Sequence, residues 1–316
     1  MKGKKLIATR DAYGKTLVEL GRENPNIVVL DADLSVSTKT SLFAKEFPDR
    51  FFDMGVAEQD MISTAAGLAA CGKTVFASTF AVFGSGRAWD QVRMSVAYTR
   101  LNVKIVVTHG GITTGEDGAS HQANEDIAIM RALPNMTVIV PADAVETAKA
   151  IRSAARFFGP IYIRLGRPKV PVLYENEDYD FRIGKGVVMR KGKDATIFAC
   201  GMMVGEALNA AEELSKKGTE CQVVNLHTIK PIDKALIVKC AEETGAVVTA
   251  EEHSIIGGLG GAVAEVLVEN ACVPMVRVGL KDIFGESGKP EELLVKYGLT
   301  AQEIMHAVKV VLKRKR

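Results

Sequence analysis

Uninterrupted apolar runs alternate with amphipathic stretches along the whole chain. The runs at 26–34 (NIVVLDADL), 51–56, 74–80, 103–109 (VKIVVTH), 136–141 (MTVIVP) and 160–165 (PIYIRL) predict strands. Helical periodicity fills the gaps at 10–22, 59–71, 86–99, 123–133 and 143–157. Val- and Ile-rich runs without polar alternation mark strands covered on both faces, hence a largely parallel sheet between helices. The pattern breaks over 168–185 (PKVPVLYENEDYDFRIGK), which carries two prolines, an acidic cluster and no sustained period, the signature of a linker. Strands then recur at 195–200, 221–226, 246–250 and 274–279, with helices at 204–217, 233–244, 259–270, 290–297 and 301–313. The fold class is α/β in two domains, each a largely parallel sheet flanked by helices: 1–168, a linker at 169–185, and a smaller unit at 186–316.

Composition narrows the possibilities. The 316 residues are 47% hydrophobic, enough for two ordinary cores. Lys and Arg number 40 against 38 Asp and Glu, so the basic excess that nucleic-acid backbones require is missing. No apolar run approaches the ~18–20 residues of a membrane span. The first ten residues are basic but lack the apolar core of a signal peptide. Cys71, Cys200, Cys221, Cys240 and Cys272 lie far apart in apolar contexts and read as reduced core residues of a cytoplasmic protein. The basic end from Lys313 to Arg316 reads as a solvated helix terminus.

Ligand sites of parallel α/β sheets gather outside the carboxyl ends of the strands. Asp31 and Asp33, Glu58, Phe80 and Phe83, His109, and Arg164 and Arg167 fall at such ends. Met54, Val56, Ala57 and Met61 crowd Glu58 in sequence, and an apolar setting raises a carboxyl pKa. The bland reading is that Glu58 merely opens a helix, where negative charge is favoured. A single buried acid beside an aromatic shelf also suits the activation of thiamine diphosphate, where the protein supplies position and the cofactor the carbanion chemistry. His109 and His121 bracket a glycine-rich loop with Glu116 and Asp117; no third ligand stands at zinc spacing, so the loop reads as substrate handling. Gly257-Gly258-Leu259-Gly260-Gly261 misses the third glycine of a dinucleotide fingerprint and reads as a closely packed helix start.

Several segments together resemble the carboxyl-terminal half of transketolase, over essentially the whole chain. They are Thr9-Arg10, the run from Asp31 to Ser37, Gly55-Val56-Ala57-Glu58, the run from Ser78 to Phe83, Thr108-His109 with Gly115-Glu116-Asp117-Gly118, and Arg167-Pro168. The resemblance implies a pyrimidine-binding domain followed by a transketolase carboxyl-terminal domain. It implies that Glu58 hydrogen-bonds the aminopyrimidine, that Phe83 with Phe80 forms its stacking shelf, and that Asp33 and Leu34 line the cofactor. It implies that Arg10, Ser37, His109 and Arg167 grip the phosphate end of the substrate, and that Asp117 and His121 contact its hydroxyls. Catalytic roles fall to Glu58, His109 and His121. Glu251-Glu252-His253 resembles a family signature at the domain junction and receives no chemistry.

The family's diphosphate half carries Gly-Asp-Gly and a later Asn, and this chain has no Gly-Asp-Gly. The resemblance therefore implies a fragment or a split enzyme: a transketolase moving a two-carbon ketol unit between sugar phosphates only with a second subunit. That partner would hold the diphosphate and Mg²⁺ (or Ca²⁺), in a dimer of this chain or a heterotetramer. Deoxyxylulose-phosphate synthase lacks the Thr-His-Gly start of the loop, and the β subunit of 2-oxo acid dehydrogenases lacks Gly-Glu-Asp-Gly-x-x-His; both stand as alternatives, with a non-catalytic scaffold of the same fold.

Overall fold

The computed structural model describes residues 3–174 and 179–315. The acidic centre of the linker, 175–178, the first two residues and Arg316 lie outside the described residues. Strands of the first half are β1 (Leu6–Ala8), β2 (Ile27–Asp31), β3 (Phe51–Asp53), β4 (Thr74–Phe80), β5 (Val103–Thr108), β6 (Thr137–Ile139), β7 (Ile161–Arg164) and β8 (Lys169–Pro171). Those of the second half are β9 (Val187–Arg190), β10 (Ala195–Ala199), β11 (Cys221–Asn225), β12 (Thr228–Lys230), β13 (Val247–Ser254) and β14 (Met275–Leu280).

The first sheet has the order β12-β6-β7-β5-β4-β2-β3 and the second β14-β13-β10-β11-β9. Every residue of β2, β4, β5 and β7 is buried, and these strands pair in parallel, as their unbroken apolar runs require. Within these two sheets the antiparallel strands among the described residues lie at edges, β9 on the second and β12 on the first, and β1 and β8 form a separate antiparallel pair. β12 comes from the second half of the chain, so the first sheet is completed by the other unit. The apolar core is likewise shared, with Met130, Leu133 and Val138 packed in one cluster with Phe198, Leu226 and Ile229. No helix among the described residues is long and apolar enough to cross a membrane.

Four expectations change. The strand expected over 51–56 stops at Asp53, because it lies at the sheet edge and Gly55 turns the chain with φ +68°. The helix expected over 86–99 is a short α turn, Trp89–Gln91, between π-helical segments Phe83–Arg87 and Val92–Tyr98. The linker does not begin as free chain, since β8 pairs antiparallel with β1. Cys71 and Cys272 are exposed, beyond the ends of their helices, while Cys200, Cys221 and Cys240 are core residues.

Candidate active site

The helix Glu58–Ala70 starts after Ala57 without a side-chain cap, and the acidic Glu58 and Asp60 stand in its first turn, the end of the helix dipole that favours negative charge. Met61, Ile62, Ala65, Ala66 and Ala69 form its buried stripe, and the small residues let it lie close to the sheet. Glu58 itself is 1% exposed. Its surroundings are not only apolar: Arg87 Nη1 donates to Glu58 Oε2 at 2.8 Å. The same guanidinium lies over the Phe83 ring, its central carbon 4.4 Å from the centroid. Gly84 lies inside the wide π turn Phe83–Arg87 that brings Arg87 back; a Cβ there would come within 2.9 Å of Val107 Cγ1.

Phe80, the last residue of β4, joins this acid to a second group of residues. Its ring stacks on His109, centroids 3.8 Å apart, and lies near-parallel to Phe83 at 6.2 Å. His121 stands edge-on to both, 5.2 Å from Phe83 and 6.4 Å from Phe80. His109 follows β5 with φ +61°, a conformation costly for a residue with a Cβ and concentrated at functional sites. Arg10 Nη1 lies 3.4 Å from His109 Nε2 and donates to the Ser37 carbonyl at 3.0 Å. Because a guanidinium only donates, Nε2 accepts, so the ring proton sits on Nδ1 and goes to Thr108 Oγ1, 2.7 Å away. Burial, then Arg10, Arg167, His121 and Lys39, push His109 down to about 3, so the ring stays uncharged near neutrality. Burial also lowers Arg10, with Arg167 adding to the shift, and Arg10 Nε is buried without a partner among the described residues.

Arg167 Nη1 donates to the Thr114 carbonyl and to Glu116 Oε2, the latter at 2.7 Å. It thus ties the chain after β7 to the tight turn Ile112–Asp117. Asp117 is exposed, and the mouth of this turn is open. Asp33, at φ +60°, and Leu34 lie on the loop after β2. That loop is held from below by Asp31, whose carboxyl accepts from Leu34 N–H (2.7 Å), Thr38 Oγ1 (2.6 Å) and Thr40 Oγ1 (2.8 Å). Burial raises Asp31 to about 6 despite these bonds.

The structure therefore draws Glu58, Phe80, Phe83, His109, His121, Arg10, Ser37 and Arg167 into one contiguous group. Leu34 is tied to it through its carbonyl, which accepts from the Ser37 N–H at 2.8 Å, while Asp33 and Asp117 sit on the two loops beside it with no hydrogen bond or ring contact to it among the described residues. Sequence reasoning missed Arg87, although an arginine closing the glycine-rich segment after Phe83 was the available signal. It also missed Lys39, which pairs with Asp11 at 3.8 Å and adds to the positive field around His109. Arg164, a strand-exit arginine, turns inward instead and is buried against Asp126 at 2.8 Å.

Residues 5–172 match the family described as transketolase, pyrimidine binding domain, and residues 184–304 match the transketolase C-terminal domain. The chain is 55% identical over 307 residues to a putative transketolase C-terminal section from Methanocaldococcus jannaschii, covering 96% of each. It is 48% identical to a 6-deoxy-6-sulfo-D-fructose transketolase subunit from a Clostridium species, covering 97% of this chain and 95% of the relative. Among solved structures it superposes with TM-score 0.92 on a split gene transketolase described as an inactive beta4 tetramer, at 58% identity, covering 98% of this chain and all of the other.

Proposed function

This chain belongs to the transketolase family, and from that premise we propose that it is the pyrimidine-side subunit of a split ketol transferase, with its pyrimidine-binding domain at 1–168 and its carboxyl-terminal domain at 186–316. The cofactor is thiamine diphosphate, which when bound supplies the carbanion chemistry that lets a two-carbon unit leave a ketose and join an aldose. A separate cytoplasmic subunit holds its diphosphate and Mg²⁺.

The residues present fit that group. Glu58 is a buried carboxyl at a helix start, placed to hydrogen-bond a ring nitrogen, and the partly exposed Phe83 ring, joined to it through Arg87, offers the stacking face. On this reading Asp33 and Leu34, on the loop after β2, line the cofactor. On the far side of Phe80 the field turns positive. Arg10, Arg167 and Lys39 surround an uncharged His109 whose ring accepts rather than repels, and the buried Arg10 Nε has no acceptor among the described residues. That end suits an anionic head group on the sugar, a phosphate or the sulfonate named for the Clostridium relative. His121 and Asp117, at the open turn, take hydroxyls of the sugar between the two ends. The observation that carries the reading is Phe80, which brings the acid half and the cationic half within one ring's width of each other.

The need for a second subunit follows from charge. A diphosphate cannot sit in an apolar cleft without compensating cations, and Val56, two residues before Glu58, is 71% exposed. This surface is where the partner closes the site, in an assembly of two such chains with two partners. Calorimetry and ketol-transfer assays on the purified chain, with and without the partner, provide the test. The expected result is weak or no cofactor binding and no turnover until the partner is added. Stoichiometric tight binding, or transfer, by the chain alone refutes it.

A further inference from the structure

The Glu251-Glu252-His253 stretch closes β13 in the second unit, and all three residues are buried. Successive strand residues point to opposite faces, and the two carboxylates accordingly serve opposite sides. Glu251 accepts the backbone N–H groups of Leu259 (2.6 Å) and Gly260 (2.7 Å), seating the start of the helix Leu259–Asn270. The glycines there exist for this contact: a Cβ on Gly258 would lie 2.1 Å from Glu251 Oε2. Glu252 faces the first unit. Its Oε1 accepts the Thr113 N–H at 2.8 Å, and its main-chain carbonyl accepts from Arg164 Nη2 at 2.9 Å.

Thr113 lies in the turn Ile112–Asp117, between His109 and the exposed Asp117 and half-buried His121. The backbone before it is built to admit Glu252. Gly111 has φ +85°, and a Cβ there would sit 2.3 Å from Glu252 Oε1. Gly110 is tied in the same way to Arg164, whose Nε would be 2.6 Å from its Cβ. The turn folds back on the end of β5 through Thr114 Oγ1, which donates to the His109 carbonyl at 2.7 Å. The second unit closes on it from the other side as well, with Gln122 donating to the Glu286 carbonyl at 3.0 Å. A buried carboxylate is costly unless it receives donors, so its placement under one turn asks for a role. Burial raises the pKa of Glu252 and the nearby Arg164 opposes that rise.

We propose that Glu252 is a positioning residue of the second domain for the substrate turn: its carboxylate, by accepting the Thr113 N–H, sets the orientation of the segment that carries His109, Asp117 and His121. The second domain thereby takes part in substrate recognition without touching substrate. This rests on the reading of that turn as the sugar-binding element.

The experiment uses this chain for hydrogen exchange and its assembly with the partner for kinetics. In Glu252→Ala, amide exchange over 112–118 rises about tenfold or more, the loss expected for an unsatisfied buried donor. In the assembly the KM for the anionic sugar rises by a similar factor while kcat changes little. Glu252→Gln keeps an oxygen for the Thr113 N–H and restores both to near wild type. If Glu252→Ala does not fold, Glu252→Asp, which keeps the charge but withdraws the carboxylate from the Thr113 N–H, is read in its place. Unchanged exchange over 112–118 overturns the positioning role. Raised exchange with an unmoved KM overturns its link to substrate. A wild-type assembly without ketol transfer fails the functional proposal instead, and leaves the exchange result to judge the contact by itself.

Discussion

Arg87 meets Glu58 across 29 residues of chain, donating Nη1 to Oε2 at 2.8 Å, while its guanidinium carbon stands over the Phe83 ring, 4.4 Å from the centroid. One cation thus satisfies the acid and contacts a face of the aromatic ring beside it. Arg87 is 47% exposed on its side chain and Glu58 1%, so removing the arginine leaves the more buried partner unpaired. Arg87→Ala should cost about 1–3 kcal/mol of stability, less than a fully buried pair would. Arg87→Ala combined with Glu58→Gln should recover most of that loss, because no buried charge is then left alone. Denaturant unfolding of the four proteins measures it; strictly additive losses would show that the pair is not coupled.

Glu58→Gln should fold normally and lose ketol transfer in the assembled enzyme, because an amide cannot exchange a proton with a ring nitrogen. Turnover above a tenth of wild type at saturating cofactor would remove Glu58 from the catalytic role. Circular dichroism of the variant separates a chemical loss from unfolding.

Arg167 should matter in proportion to the charge of the substrate. Arg167→Ala should cost about 1.5–3 kcal/mol in kcat/KM with a phosphorylated donor, the range of a charge-assisted hydrogen bond. The loss should shrink sharply with an unphosphorylated sugar, and a sulfonated one tells whether the head group must be phosphate. Equal losses with all three would make Arg167 a clamp on Thr114 and Glu116 only.

His109 should remain uncharged across the working pH range. Its folded pKa of about 3 lies below the ordinary 6.5, so protons bind the unfolded chain first. Its contribution to stability is then fully present above pH 6.5 and lost as pH falls toward 3. Carbon–proton NMR of labelled histidines should show a His109 signal that does not titrate between about pH 5 and 8. A midpoint near 6.5 would mean that the ring is neither buried nor faced by Arg10 in solution.

How much of this was legible from the chain can be seen element by element. The unbroken runs of β2, β4, β5 and β7 identified buried parallel strands, because a strand covered on both faces has no polar alternation to display. Strand ends then pointed to Glu58, Phe80, His109 and Arg167, since a parallel sheet gathers its exits on one side. Local pattern also led to the glycines before Leu259, though not to what they approach. It could not reveal that Arg87 pairs with Glu58, that Phe80 stacks on His109, or that Arg164 turns inward to Asp126 while Arg167 stays at the site. Nor could it show the π turns after Phe83, β12 crossing to complete the first sheet, or Glu252 under Thr113. A hydrophobic period describes one element and the face it buries. Which two faces meet is set by strand order and by where the second unit packs, and only the assembled tertiary structure removes the water that makes those pairings count.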